Sequence, residues 1–270
     1  LLQDKYGKLQ EILTEMETVV IAFSGGVDST FLLKAALDTL GPDNVLAVTA
    51  DSETYPFEEL EEAKRLAIFL KARHEIIETS ELSIPGYSEN TPNRCYFCKK
   101  SLFEHLIPIM EKHQYKNIVF GLIADDMGEH RPGTQAAKEH NVRGPLQEAN
   151  LFKNEIRELS QEMGLPTWDK PSFACLSSRI AYGEQITIEK LKRVDQSEQF
   201  IRGLGVRQVR VRTHGEMARI EVEPHAMSTL LEHHTQIVTK LKEFGYTYVT
   251  MDLIGYKSGS MNQILQGIKE

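Results

Sequence analysis

Apolar residues gather along this chain in two rhythms. A nearly unbroken apolar run at 18–23 reads as a strand buried on both faces of a parallel sheet, and 45–50, 74–79 and 117–123 read as three further strands. Between them the spacing is helical: a charged amphipathic stretch at 1–17, then 31–40 stopped by Gly41-Pro42, 57–71, and 103–113. The alternation β-α-β-α-β-α-β predicts an α/β fold with a doubly wound parallel sheet. Residues 127–150 show little periodicity and are expected to form a loop near a ligand or an interface. A further helix is expected at 155–163, stopped by Gly164-Leu165-Pro166.

After residue 180 the pattern changes to α+β. A helix at 188–204 ends on Gly205, and strands at 208–213 and 217–223 flank a turn at His214-Gly215-Glu216. A helix over 225–244 and a strand at 246–253 complete it. The expected organisation is a nucleotide-binding domain over 1–180 and a smaller α+β domain over 181–270 that binds substrate or forms an oligomer contact.

Composition narrows the class. The 270 residues are 41% hydrophobic and 26% charged, ordinary values with room for two cores. A formal net charge of -8 disfavours a large nucleic-acid partner. No apolar run approaches the ~18 residues of a membrane span, and residues 1–17 lack the apolar core of a signal peptide, so a cytoplasmic location is expected. Three cysteines argue against a disulfide framework. The nine histidines are not spaced as a metal set.

The chemistry starts where the first strand ends, at Ser24-Gly25-Gly26-Val27-Asp28-Ser29-Thr30. Two glycines allow a tight turn that presents backbone N–H groups to phosphate oxygens. Ser24, Ser29 and Thr30 can add hydroxyl donors, and the helix that follows favours an anion at its N-terminus. Asp28 makes sense there only if a cation shares the site, and Mg²⁺ bridging phosphates would do so. The string is neither a G-x-x-x-x-G-K-[ST] loop nor a G-x-G-x-x-G turn.

Cys95-Tyr96-Phe97-Cys98 is a lone C-x-x-C, followed by Lys99-Lys100. It can be half a zinc site, a redox pair or two iron–sulfur ligands. Cys175 lies beyond the fourth strand in a Ser- and Arg-rich loop. Three thiolates fall short of the four ligands of structural zinc. They suit a [4Fe–4S] cluster with one iron open to carry a sulfide, or a persulfide relay. Arg210 and Arg212, two apart on a strand, face one side and suit a phosphate or carboxylate.

The loop at 24–30 resembles the SGGxDS loop of the ATP-pyrophosphatase (PP-loop) superfamily, whose members cleave ATP between the α- and β-phosphates and leave an adenylylated acceptor. Over nearly the whole chain the resemblance is to the LarE family. It rests on 23–30, Asn93-Arg94-Cys95-Tyr96-Phe97-Cys98-Lys99-Lys100, Arg131-Pro132-Gly133, Trp168-Asp169-Lys170-Pro171, Cys175-Leu176-Ser177-Ser178-Arg179, Val209-Arg210-Val211-Arg212 and Arg219-Ile220-Glu221. The resemblance implies an adenine nucleotide alpha hydrolase-like fold and a sulfur transferase of nickel-pincer cofactor biosynthesis. Such an enzyme adenylylates a carboxylate of pyridinium-3,5-biscarboxylic acid mononucleotide and converts it to a thiocarboxylate.

The resemblance implies ATP and Mg²⁺ at Ala22, Ser24, Gly25, Gly26, Asp28 and Ser29, with Lys99 beside the phosphates. Ser178 and Arg179 are implied at a phosphate of AMP or substrate, Arg210, Arg212 and Glu221 at the substrate, and Asp28 and Glu198 near a metal. Family members with three cysteines look suited to a cluster that passes on sulfide from a donor, and Cys95, Cys98 and Cys175 match that type. Members with one cysteine sacrifice its sulfur, the alternative for Cys175. A homo-oligomer is implied as well. Rival readings are a tRNA thiolase, an amide-forming ligase similar to NAD or GMP synthetase, and a nucleotide sensor without turnover.

Overall fold

The computed structural model describes residues 1–127, 132–257 and 259–262, and the chain divides into two compact units. The first comprises Leu1–Ser80 and Cys95–Phe173. Its elements are α1 (Leu2–Met16), β1 (Val19–Ala22), α2 (Val27–Leu40), β2 (Val45–Asp51), α3 (Phe57–Phe69), β3 (Arg73–Glu78), α4 (Arg94–Lys112), β4 (Asn117–Phe120), α5 (Pro132–Glu139), α6 (Pro145–Glu148) and α7 (Lys153–Glu162). The four strands run parallel in the order β3-β2-β1-β4, the α/β sheet that the sequence predicts.

The pleat explains the unbroken apolar runs. Val19 and Ile21 of β1 and Val45 and Ala47 of β2 point into a core shared with Leu9, Leu13, Phe31, Ala63 and Leu159. Val20, Leu46 and Val48 point the other way, into a core with Phe103, Leu106, Ala136 and Ala137. Alternate side chains leave a strand on opposite faces, so a strand with helices on both sides must be apolar at every position.

Two expectations change. The helix expected at 103–113 begins nine residues earlier, at Arg94, and carries both Cys95 and Cys98. The expected loop at 127–150 contains α5 and α6, each started by a proline, the residue whose missing N–H costs nothing in a first turn. Arg131, part of the family resemblance, lies outside the described residues.

The second unit comprises Glu81–Arg94 and Ala174–Glu270. It holds α8 (Ile188–Gly203), β5 (Val209–His214), β6 (Met217–Val222), α9 (Met227–Glu232), α10 (His234–Glu243) and β7 (Tyr248–Met251). β5 and β6 form the expected antiparallel hairpin, and β7 adds parallel to β6. The helix expected over 225–244 is broken at His233, with no proline or glycine to mark the break. Val209, Val211, Ile220, Ile237 and Leu241 form the core of this small mixed sheet. The early segment joins it through fully buried Asn90, whose amide donates to the carbonyls of Ile180 (3.2 Å) and Ala181 (2.7 Å). Among the described residues no helix is long and apolar enough to cross a membrane.

Phe31 carries much of the α1–α2 packing, fully buried with the Tyr6 ring centroid 6.2 Å away. Phe31→Ala is expected to cost about 3–5 kcal/mol, read as a lower urea midpoint with an unchanged slope.

Candidate functional site

β1 lies between β2 and β4, so the connections leaving β1 and β4 diverge, and ligands of open α/β sheets sit outside such strand ends. Ala22 ends β1 half-buried, and only four residues separate it from the start of α2. Its N-cap, Gly26, is extended and has no side-chain cap, which leaves the first-turn N–H groups to an anion. Gly25 has φ +64, and a Cβ there would stand 3.1 Å from the Ala63 Cα. At Gly121, just past β4, a Cβ would stand 3.1 Å from the Ser29 amide nitrogen and 3.2 Å from the Asp28 Cβ. Only glycine lets both neighbours approach so closely. The Ser24 and Ser29 hydroxyls are 3.1 Å apart, with Ser24 exposed. Thr30, expected to add a donor, is instead fully buried, because position 30 falls on the core side of α2.

Asp28 sits in the first turn of α2, and Lys153 Nζ reaches both its oxygens, at 2.7 and 2.8 Å. Burial still holds the Asp28 carboxyl above the usual carboxylate range; Lys153 opposes that and the Asp126 charge adds to it. A carboxylate beside a phosphate loop is the oxygen donor that Mg²⁺ takes, so the site fits Mg²⁺ if Lys153 yields an oxygen to it. Lys99 lies on α4, its Cγ 3.0 Å from where a Gly133 Cβ would stand. Cys95 and Cys98, three apart on α4, share one helix face, and neither is in a disulfide.

In the second unit Cys175 is the N-cap of a short 3₁₀ turn, Leu176–Arg179. Arg179 is 0% exposed. Its Nε and Nη2 grip the two Glu198 oxygens at 2.9 and 3.0 Å, and its Nη1 donates to the carbonyls of Ala174 and Cys175 and to Ser178 Oγ. Arg179, expected at a phosphate, here directs these donors to Glu198 and to the Cys175 turn. Glu198 also accepts from Arg202 (2.9 Å) and the Val211 amide (3.0 Å), so a metal there has to displace an N–H donor.

Arg212 grips Glu221 at 3.0 and 2.8 Å, and Arg219 and Ser260 complete that carboxylate. Arg212 also donates to the Ser178 carbonyl, which joins the two groups. Arg210 donates to the Val209 carbonyl and lies 5.3 Å over the Tyr256 ring. Five guanidiniums, Arg179, Arg202, Arg210, Arg212 and Arg219, thus face the carboxylates of Glu198, Glu221 and Asp252. Arg210 is pushed down to about 10 by burial and by the neighbouring Arg179. Such a cluster can take a phosphate or carboxylate.

The structure thus gathers Ser178, Arg179, Glu198, Arg210, Arg212 and Glu221 about the Cys175 turn, and Ser24, Gly25, Gly26, Asp28 and Ser29 about one loop. Sequence reasoning missed Lys153, Arg202 and Tyr55, and gave Lys170 no role although its Trp-Asp-Lys-Pro string stood out. Among the described residues, no three His, Cys, Asp or Glu side chains are grouped to hold a metal within either unit.

A family model for NAD synthase matches residues 6–92, the part that carries the loop. Along nearly its full length the chain is similar to two curated proteins. One is an uncharacterized protein of Synechocystis sp., 44% identical over 98% of this chain and 99% of the relative. The other is the pyridinium-3,5-bisthiocarboxylic acid mononucleotide synthase of Lactiplantibacillus plantarum, 39% identical over 98% of this chain and 96% of the relative. One subunit of a glutamine-hydrolyzing GMP synthase of Saccharolobus islandicus is 30% identical over 56% of this chain and 44% of its own length.

Glu198 generates a stability prediction. Burial alone would raise its carboxyl, but Arg179, Arg210 and Arg202 hold it below the usual range. Its stabilisation is therefore complete above the ordinary value of about 4.3 and is lost as pH falls through the lower folded value. Glu198→Gln keeps the shape but strands Arg179, and is expected to cost about 3–5 kcal/mol at neutral pH. Urea unfolding across the acid range should show a flatter decline for the variant. A parallel decline would remove Glu198 as its source.

Proposed function

The chain belongs to the LarE family of PP-loop, ATP-utilising enzymes, and on that premise we propose that it makes a thiocarboxylate on pyridinium-3,5-biscarboxylic acid mononucleotide. The observation that carries the reading is the phosphate loop between β1 and α2, on a chain 39% identical along 98% of its length to a synthase of the bisthiocarboxylic product. The NAD synthase match does not favour amide chemistry, because it covers only 6–92, where the shared loop lies.

ATP lies with its phosphates on the N–H groups of residues 24–29. A substrate carboxylate attacks the α-phosphorus and forms an acyl-adenylate, and pyrophosphate leaves. Sulfur at the sulfide level then attacks the acyl carbon and expels AMP. The loop and α2 N-terminus stabilise the charge that develops on the leaving pyrophosphate. Asp28 would hold Mg²⁺, which would neutralise the phosphates further. Lys153 on Asp28 favours its ionised form and aims it, and Lys99 adds positive charge beside the phosphates. Arg210, Arg212 and Ser178 bind the phosphate or free carboxylate of the mononucleotide, with Glu221 orienting Arg212. The enzyme works as a homo-oligomer in the cytoplasm.

For the sulfur, the proposal is that Cys95, Cys98 and Cys175 jointly ligate a [4Fe–4S] cluster. The support is a thiol pair on one helix face and a third thiol on a turn whose carbonyls Arg179 fixes. When bound, the cluster supplies an open iron on which a sulfide from an external donor can be carried.

The test of the ATP chemistry is Asp28→Asn, a change of nearly equal shape. Pyrophosphate release from ATP should depend on the mononucleotide and fall about 10²–10³-fold, with an unchanged circular dichroism spectrum. Near-normal release would remove Asp28 from the reaction. For the sulfur source, anaerobic reconstitution should give a four-iron Mössbauer signal, lost in each single Cys→Ala variant, and more than one product per chain. A loss of the mass of H₂S at Cys175 after one turnover would establish the sacrificial route instead.

A further inference from the structure

A phosphate loop needs its N–H groups turned toward the ligand, and a planar trans peptide sets each N–H opposite the preceding carbonyl. Whatever holds the carbonyls of Ser24, Gly25 and Gly26 therefore aims the N–H groups of Gly25, Gly26 and Val27. The Gly26 carbonyl is held locally, by the Thr30 amide at 3.0 Å and Ser29 Oγ at 3.3 Å. The other two are held from far along the chain. Tyr55 donates its hydroxyl to the Ser24 carbonyl at 2.6 Å. Lys170 Nζ donates to the Gly25 carbonyl at 3.2 Å.

The geometry points to Tyr55 and Lys170 as positioning residues that fix which way the phosphate loop's N–H groups face. Lys170 has three N–H donors and three acceptors within reach: Glu59 at 2.7 Å, Glu62 at 2.8 Å and the Gly25 carbonyl. At 11% side-chain exposure it has little freedom to turn elsewhere. Its own backbone is fixed, because Arg157 donates to the carbonyls of Trp168 and Lys170. Tyr55 is braced edge-on by the Phe173 ring at 5.5 Å. Burial and the charges of Glu59 and Glu62 keep its hydroxyl protonated, so it remains a donor. Without these two donors Gly25, already at φ +64, can flip a flanking peptide and turn a carbonyl toward the phosphates.

This inference rests on the reading of residues 24–29 as a phosphate site. It is tested on the full chain by calorimetric titration with ATP and with inorganic pyrophosphate, which has no adenine. Tyr55→Phe should weaken both about 3–10-fold, the loss of one hydrogen bond, and leave the urea midpoint near that of the parent. Lys170→Met should weaken both further, and Lys170→Arg should recover part of the loss. In the parent, the amide NMR signals of Gly25, Gly26 and Val27 should move on adding pyrophosphate, and in Tyr55→Phe the Gly25 signal should move less. Unchanged pyrophosphate affinity in Tyr55→Phe overturns the inference, whatever happens to ATP, and this variant decides if Lys170→Met does not fold. A parent chain that binds neither probe overturns the phosphate-site reading itself.

Discussion

A peptide group cannot offer its donor to a ligand without pointing its acceptor the other way. In the first unit that opposition organises everything about the loop. Carbonyls turned away from a phosphate stay there only if a donor meets them, and each such hydrogen bond contributes about 0.5–1.5 kcal/mol net. Tyr55 after β2 and Lys170 before the end of the unit supply the donors, and Ala63 of α3 is small enough to let Gly25 approach. The glycines at 25 and 121 are thus places where backbone meets a neighbour, and the sheet beneath holds these strand ends in register.

The second unit solves the converse problem, that of keeping positive charge inside. Glu198 and Glu221 are fully buried, and each is surrounded by more guanidinium than it can neutralise. Placing ions out of water costs several kcal/mol apiece and is tolerated only with good pairing. Arg179 meets both oxygens of Glu198, and Arg212 meets one oxygen of Glu221 through two N–H bonds, so both pairs satisfy that condition. Guanidiniums already held in place by such pairs need little reorganisation to meet an anion.

The sheet's centre was legible because two-sided burial leaves no polar position in β1, and polar residues enter β2 only at Thr49 and Asp51, near its end. The start of α4 was hidden, since residues 94–102 carry cysteines, lysines and aromatics without an apolar stripe. The helix α5 was hidden for another reason: it packs through Ala136 and Ala137, which bury fully yet contribute no strong hydrophobic signal. At the site, Ser24 to Ser29 could be read because the chemistry lies in consecutive residues. Tyr55, Lys153 and Lys170 could not be, because their contacts to the loop span 31, 125 and 145 positions. Nothing in the string Ser-Ser-Arg reveals that a glutamate 19 residues on meets Arg179 in the core.

The segment Glu81–Arg94 belongs to the second unit although most of that unit follows residue 174. Asn90 finds its acceptors 90 and 91 positions later. At a synthesis rate of about 5–20 residues per second, those acceptors leave the ribosome roughly 5–20 s after Asn90 does. During that wait the first unit's early strands can begin to pair while a stretch of foreign chain is looped out between β3 and α4. A fragment cut at residue 174 would leave the second unit without that stretch, so the gene cannot be divided there into two self-sufficient halves.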